Sequence, residues 1–209
     1  MKDARAHTMT LLLIRHGETE LNAGRVVQFP DTPLGANGIA QAMRLGQHLR
    51  TRNIGLVLSS DYRRARMTAG SVVAHCGAPL VEHATLRERN FGDFRGSAYA
   101  DHGIDIMAPD VVPPNGEGWA AFHARVDEAW RVITDYAAKV EGDLAVVTHG
   151  LVLRSLIERK LDLGALAVAP DLVVHNTSVT VVERGAPWRV RDLASVAHLD
   201  DGVQAGAVA

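Results

Sequence analysis

Two short segments deliver a histidine between an apolar run and a glycine: Leu13-Ile14-Arg15-His16-Gly17 and Val146-Val147-Thr148-His149-Gly150. Imidazole titrates near neutrality, so it can serve as nucleophile, proton carrier or neutral hydrogen-bond partner. A third segment, Ser59-Ser60-Asp61-Tyr62-Arg63-Arg64-Ala65-Arg66, carries guanidinium groups into the start of a helical pattern. The helix dipole repels cations there, and an anion shared with the free N–H groups of the helix start would remove the conflict. Arg15 beside His16 adds a second guanidinium, and two such forks suit the oxygens of a phosphoryl group. The chemistry implied is phosphate held by arginines with histidine beside it. Singly, each histidine reads as well as a structural hydrogen-bonder and the arginines as a solvated face; the repeated context weighs against that.

These residues need a scaffold that brings them together. Leu11-Leu12-Leu13-Ile14, Leu56-Val57-Leu58, Leu144-Ala145-Val146-Val147 and Pro79-Leu80-Val81 are too short for helices and read as strands. Apolar residues recur with helical spacing at Ala65, Ala69, Val72, Val73 and Cys76. They do so again at Trp119, Phe122, Val126, Trp130, Ile133, Ala137 and Val140, and at Val152, Leu153, Leu156, Ile157 and Leu161. Residues 172–175, 178–183 and 188–193 read as further strands, the last two joined by a turn at Arg184-Gly185-Ala186-Pro187. The alternation predicts an α/β fold with a mostly parallel sheet, in which ligands bind beyond the carboxyl ends of the strands. Both histidines stand at such ends. Residues 90–118 break the rhythm with glycines and prolines and are expected to form an inserted lobe near that edge. The tail, about residues 200–209, is expected to fray.

The 209 residues are 47% hydrophobic and 22% charged, ordinary for one folded domain spanning 1–209 and inconsistent with disorder. A formal net charge of -2 gives no field for nucleic acid or an anionic membrane, so any anion site must be local. The near-neutral surface permits self-association into a homo-oligomer. The single Cys76 excludes an internal disulfide. The first residues lack a signal peptide's apolar core, and no apolar run approaches the roughly 18 residues of a membrane span. A soluble, cytoplasmic protein is expected. Ten histidines raise a metal site, but there is no His-Glu-x-x-His motif or Cys-His set, and no Walker loop or dinucleotide fingerprint. No metal or cofactor is expected.

The run Arg15-His16-Gly17-Glu18-Thr19, with Asn22, Pro33-Leu34, Gly38 and Gln41-Ala42, resembles the opening signature of the histidine phosphatase superfamily, also called the phosphoglycerate mutase-like family. Matches continue in order at Ser60, Arg64-Ala65, Thr68-Ala69, Leu86-Arg87-Glu88, Phe91-Gly92, Gly96, Thr148-His149-Gly150, Asn176 and Ser178-Val179. The resemblance implies a three-layer α/β/α sandwich. It implies His16 as the nucleophile that takes the phosphoryl group and Glu88 as the acid that protonates the leaving oxygen. Arg15, Arg64, Asn22, His149 and the backbone of Gly150 would hold the phosphate, and Gln28 would meet the substrate. Attack requires one nitrogen of His16 unprotonated and the other held by an acceptor, and nearby arginines favour that neutral form.

Several positions read two ways. Without the resemblance, Arg87-Glu88-Arg89 is equally a solvated charge cluster. Glu18 and Thr19 suit capping better than chemistry. Arg63 and Arg66 are expected in solvent or paired with carboxylates, and Phe91, Phe94 and Tyr99 packing the lobe or lining a pocket. The segment Gly24-Arg25-Val26-Val27-Gln28-Phe29-Pro30 is one residue shorter than the family's usual loop, which unsettles the register of Gln28, and Asp61 stands to repel a highly anionic substrate.

The resemblance thus implies a metal-independent phosphatase of small phosphomonoesters, of histidine acid phosphatase type. The alternatives are mutase-type transfer and a phospho-ligand binding module without turnover. Family mutases carry basic residues after the glutamate that hold phosphoglycerate, whereas residues 90–118 contain one, Arg95. That favours hydrolysis, and the intact nucleophile and acid disfavour a pure binder. The partner would be a small phosphorylated metabolite: a sugar phosphate, a phosphoglycerate or a phosphorylated ribazole.

Overall fold

Leu11, Leu12, Leu13 and Ile14 are all fully buried, which obliges their strand to be covered on both faces. The computed structural model describes residues 9–166 and 172–199, and in it this strand, β1 (Thr10–Arg15), lies inside a six-stranded sheet. The others are β2 (Ile54–Ser59), β3 (Leu80–Glu82), β4 (Asp143–Thr148), β5 (Val179–Glu183) and β6 (Val190–Ser195), in the order β3-β2-β4-β1-β5-β6. The first four run parallel, while β5 lies antiparallel to β1 and β6 antiparallel to β5.

Side chains alternate across the sheet and divide the core in two. Leu11, Leu13, Leu58 and Val146 pack against α4 (Trp119–Lys139) and α5 (Gly150–Lys160). Leu12, Ile14, Val57 and Val147 pack on the other face against Leu45 and Leu49 of α2 (Ala36–Leu49) and Ala65, Ala69 and Val72 of α3 (Arg63–Cys76). The result is the expected three-layer α/β/α sandwich. A short α1 (Glu20–Ala23) follows β1, capped by Thr19, whose hydroxyl accepts from the Asn22 N–H at 3.0 Å.

One helix is added and two expectations are corrected. Helix α2 adds to the predicted elements: its buried face of Gly38, Gln41, Ala42, Leu45, Gly46 and Leu49 is diluted by small and polar residues, while Ile39 and Met43 lie exposed. Residues 172–175 form no strand, and the Val174 carbonyl accepts from Arg15 Nη1 at 2.6 Å instead of joining a ladder. The last strand begins at Val190, later than predicted, because Trp188 closes the preceding turn with a left-handed φ of 57° and donates to the Gly185 carbonyl. The tail at 200–209 lies outside the described residues.

Residues 90–118 form the expected lobe, irregular apart from 3-10 turns at Gly92–Phe94 and Tyr99–His102. Its centre is Arg89, only 2% exposed. The guanidinium donates to the carbonyls of Glu117 (2.9 Å), Val111 (2.6 Å) and Ile106 (3.4 Å) and lies 4.2 Å from the Trp119 ring centroid. A chain without regular structure thus has three of its buried or partly buried carbonyls paired by one side chain. Phe91 and Ile106 pack with Val27, and Phe94, Tyr99 and Met107 close around them. The shortened loop is stitched to the lobe through Val27, whose N–H donates to Ser97 and whose carbonyl accepts from Gly96.

Candidate active site

In the register of β1 with β4, Arg15 lies opposite Thr148, so the next residue on each strand, His16 and His149, leaves the sheet at the same edge. Both are buried, 2% and 0% exposed, with ring centroids 5.2 Å apart. His16 Nδ1 lies 2.7 Å from the Gly17 carbonyl, and Arg64 Nε donates to His16 Nε2 at 3.2 Å. A carbonyl only accepts and a guanidinium only donates, so these partners assign the proton to Nδ1 and leave a lone pair on Nε2. Burial first, then the charges of Arg64 and Arg15, hold His16 well below the usual imidazole range. The turn that makes this possible needs glycine at 17, where a Cβ would stand 2.6 Å from the Gly38 carbonyl.

Arg64 enters from the first turn of α3, where Nη1 also donates to the Phe29 carbonyl at 3.0 Å. Arg15 reaches Asn22 Oδ1 at 3.5 Å through Nη2, which brings Asn22 of α1 to the same cluster. Burial pulls both arginines down to about 10, which still leaves them charged at neutral pH. His149 caps α5 and approaches Ser60 Oγ through Nε2 at 2.8 Å, while its Nδ1 is buried without a partner. Burial and the neighbouring arginines keep it neutral as well. Gly150 opens α5, where backbone N–H groups and the helix dipole favour an anion.

Glu88 follows the 3-10 turn at Ala84–Leu86 and is partly exposed. Its Oε1 accepts from the Arg89 N–H (2.9 Å) and Oε2 from the Leu151 N–H (3.1 Å). Burial outweighs these donors and the arginines and pushes the carboxyl above its ordinary range. Arg15, His16, Gln28, Arg64, Glu88 and Tyr99 surround an enclosed space of about 30 Å3. Tyr62, Glu88 and Arg95 belong both to it and to a wider cleft of about 790 Å3. Two buried cations, an imidazole lone pair, a carboxyl whose hold on its proton is strengthened by burial and an outward cleft suit transfer of a phosphoryl group away from an alcohol.

Despite the shortened loop, Gln28 reaches this space, with Oε1 accepting from the Thr19 hydroxyl at 2.8 Å. Asp61 does not confront it as a bare charge, because Arg87 grips both its carboxylate oxygens at 2.5 to 3.1 Å. Of the solvated charge cluster considered for residues 87–89, only Arg87 is exposed. Arg66 pairs with Glu82 at 2.9 Å, and Arg63 is exposed. Sequence reasoning missed Tyr62, whose ring lies 5.4 Å from that of His149. It also missed Glu117 and Arg125, which fix the chain around Glu88. The available signal was Arg125 itself, a charged residue between Phe122 and Val126 on the apolar period of α4.

The description "Histidine phosphatase superfamily (branch 1)" belongs to the family model that matches residues 11–193. "Phosphoglycerate mutase-like protein 4" of Arabidopsis thaliana is 34% identical over 207 residues, covering 91% of this chain and 87% of that protein. "Broad-specificity phosphatase YOR283W" of Saccharomyces cerevisiae is 32% identical over 211 residues, covering 92% and 88%. Among solved structures, Bacillus stearothermophilus YhfR superposes with a TM-score of 0.77 at 32% identity, covering 92% of this chain and all of that one (100%).

Proposed function

Because the chain belongs to branch 1 of the histidine phosphatase superfamily, we propose that it is a metal-independent phosphatase of small phosphomonoesters, of histidine acid phosphatase type, acting through a phosphohistidine on His16. The observation that carries this reading is the pair of contacts on the His16 ring, the Gly17 carbonyl on Nδ1 and Arg64 on Nε2. They orient a neutral imidazole with its nucleophilic lone pair among arginines. Arg15, Arg64, Asn22, His149 and the Gly150 N–H hold the phosphoryl oxygens, and an entering phosphate takes the Arg64 Nε–H from His16.

His16 Nε2 then forms the N–P bond as the P–O bond to the alcohol breaks, and Glu88 gives its proton to the departing oxygen. In the second half, water attacks phosphorus, Glu88 takes its proton, and the N–P bond breaks to release phosphate. Gln28 contacts the substrate beside this centre. The substrate is a small phosphorylated metabolite and the compartment the cytoplasm; no described helix is long and apolar enough to cross a membrane. Hydrolysis is favoured over mutase-type transfer because Arg95 is the one lysine or arginine in residues 90–118 to retain a second anionic group.

Phosphate release from a panel of phosphomonoesters, with chelator present and His16→Ala run beside the parent, tests the reading. Release that survives chelation and vanishes in His16→Ala is expected. Release needing a metal, or persisting in His16→Ala, overturns it.

A further inference from the structure

Glu88 lies on a segment with no regular structure beyond the turn Ala84–Leu86, so the aim of its carboxyl depends on what holds the main chain on either side. One side chain from α4 does most of this. Arg125 Nη1 donates to the carbonyls of Thr85 (2.9 Å) and Arg87 (2.7 Å), and Nη2 to that of Glu88 (3.2 Å). Nε and Nη2 also grip Glu117 Oε1 (2.9 Å) and Oε2 (2.7 Å). Glu117 then fixes the chain beyond Glu88: Oε2 accepts from the Asn90 N–H at 3.1 Å, and the Glu117 N–H donates to the Asn90 carbonyl at 2.7 Å.

Arg125 lines the wide cleft and would pass for a substrate-binding cation. Its contacts argue otherwise. A guanidinium has five N–H donors, and the contacts just named make one bond from Nε, two from Nη1 and two from Nη2. None is left for a ligand. The side chains of Arg125 and Glu117 are 22% and 14% exposed, so the pair is shielded from the solvent that weakens surface ion pairs. We infer that Arg125 and Glu117 are positioning residues, a clamp that sets the Glu88 carboxyl at the leaving oxygen without touching substrate.

The inference rests on Glu88 as the proton donor proposed above. Misplacement of a reacting group by about 1 Å costs on the order of a hundredfold in rate. A leaving group that departs without protonation escapes that cost. The comparison is therefore kcat/KM, which covers only the steps up to departure of the alcohol and leaves out the hydrolysis of the phosphohistidine, on 4-nitrophenyl phosphate, whose phenolate leaves unaided, against glycerol phosphate, whose alkoxide needs the proton. It is made for the parent, Glu88→Gln, Arg125→Met, Glu117→Gln and the double variant Arg125→Met/Glu88→Gln.

The expected result is that Arg125→Met and Glu117→Gln each lose at least about tenfold more activity on glycerol phosphate than on the aryl ester, following Glu88→Gln. The double variant is expected to lose little beyond Glu88→Gln, as for residues acting as a unit. Residual aryl-ester turnover shows in the same experiment that the variants fold. Equal losses on both esters, or no loss on either, in Arg125→Met and Glu117→Gln overturn the clamp while Glu88→Gln keeps its selectivity. If Glu88→Gln itself shows no selectivity, the acid assignment fails and the clamp falls with it.

Discussion

Arg64 Nε donates to His16 Nε2 at 3.2 Å, so the guanidinium occupies the lone pair that would attack phosphorus. In the proposed mechanism an entering anion competes for the same N–H and frees the His16 lone pair as it binds. Arg64→Lys keeps the charge but loses the fork that reaches His16 and the Phe29 carbonyl together. The variant is expected to lose roughly 10²-fold or more in kcat/KM and to bind inorganic phosphate more weakly. Steady-state kinetics with phosphate as inhibitor checks both; unchanged values would remove Arg64 from the site.

Activity should fall on both sides of an optimum. His16 is held neutral well below 6.5, so the loss of nucleophile lies at lower pH than for an ordinary histidine. Glu88 is raised above 4.5 by burial, so the loss of its proton sets the alkaline limb. In Glu88→Gln that limb should vanish from the kcat/KM profile on glycerol phosphate. Its persistence would assign the limb to another group.

Stability carries its own pH signature where the chain enters β5 and leaves β6. Burial first, then His48, lowers His198 from 6.5 to about 4, and its Nε2 lies 3.0 Å from the Thr177 hydroxyl. The unfolded chain therefore binds this proton more readily than the folded one. The contribution is complete above 6.5 and is lost as pH falls toward about 4. Thermal melts across that range should show a shallower fall in Tm for His198→Gln than for the parent; parallel curves would refute the assignment.

Arg89→Met keeps length and apolar bulk but strips one buried and two partly buried carbonyls of their donor. Each unpaired acceptor costs about 1–3 kcal/mol. With one of the three fully buried, urea unfolding is expected to register a loss of about 1–3 kcal/mol. Measured KM should rise as well, since Phe91 and Tyr99, which the lobe contributes to the site, lose their anchor.

What the sequence made legible followed local rules. The strands β1, β2 and β4 are short apolar runs with polar stops, and the two histidines are set at strand ends by position alone. Helix α2 was hidden because close packing there wants Gly38 and Gly46 where a periodicity search wants Leu. Residues 172–175 look like a strand but give the Val174 carbonyl to Arg15, a partner 159 residues away. Arg89 and Arg125 escaped for the same reason: their bonds go to carbonyls of irregular chain, which carry no side-chain signature.

Strand β1 is made first, yet both its sheet neighbours, β4 and β5, come from the last third of the chain. During synthesis Leu11, Leu12, Leu13 and Ile14 therefore wait without edge partners until residues beyond 143 have emerged. For that interval the strand that leads into His16 is an apolar run without its sheet neighbours. β2 and β3 are both made earlier and can already pair, and His16 can meet His149 only once β4 has been made.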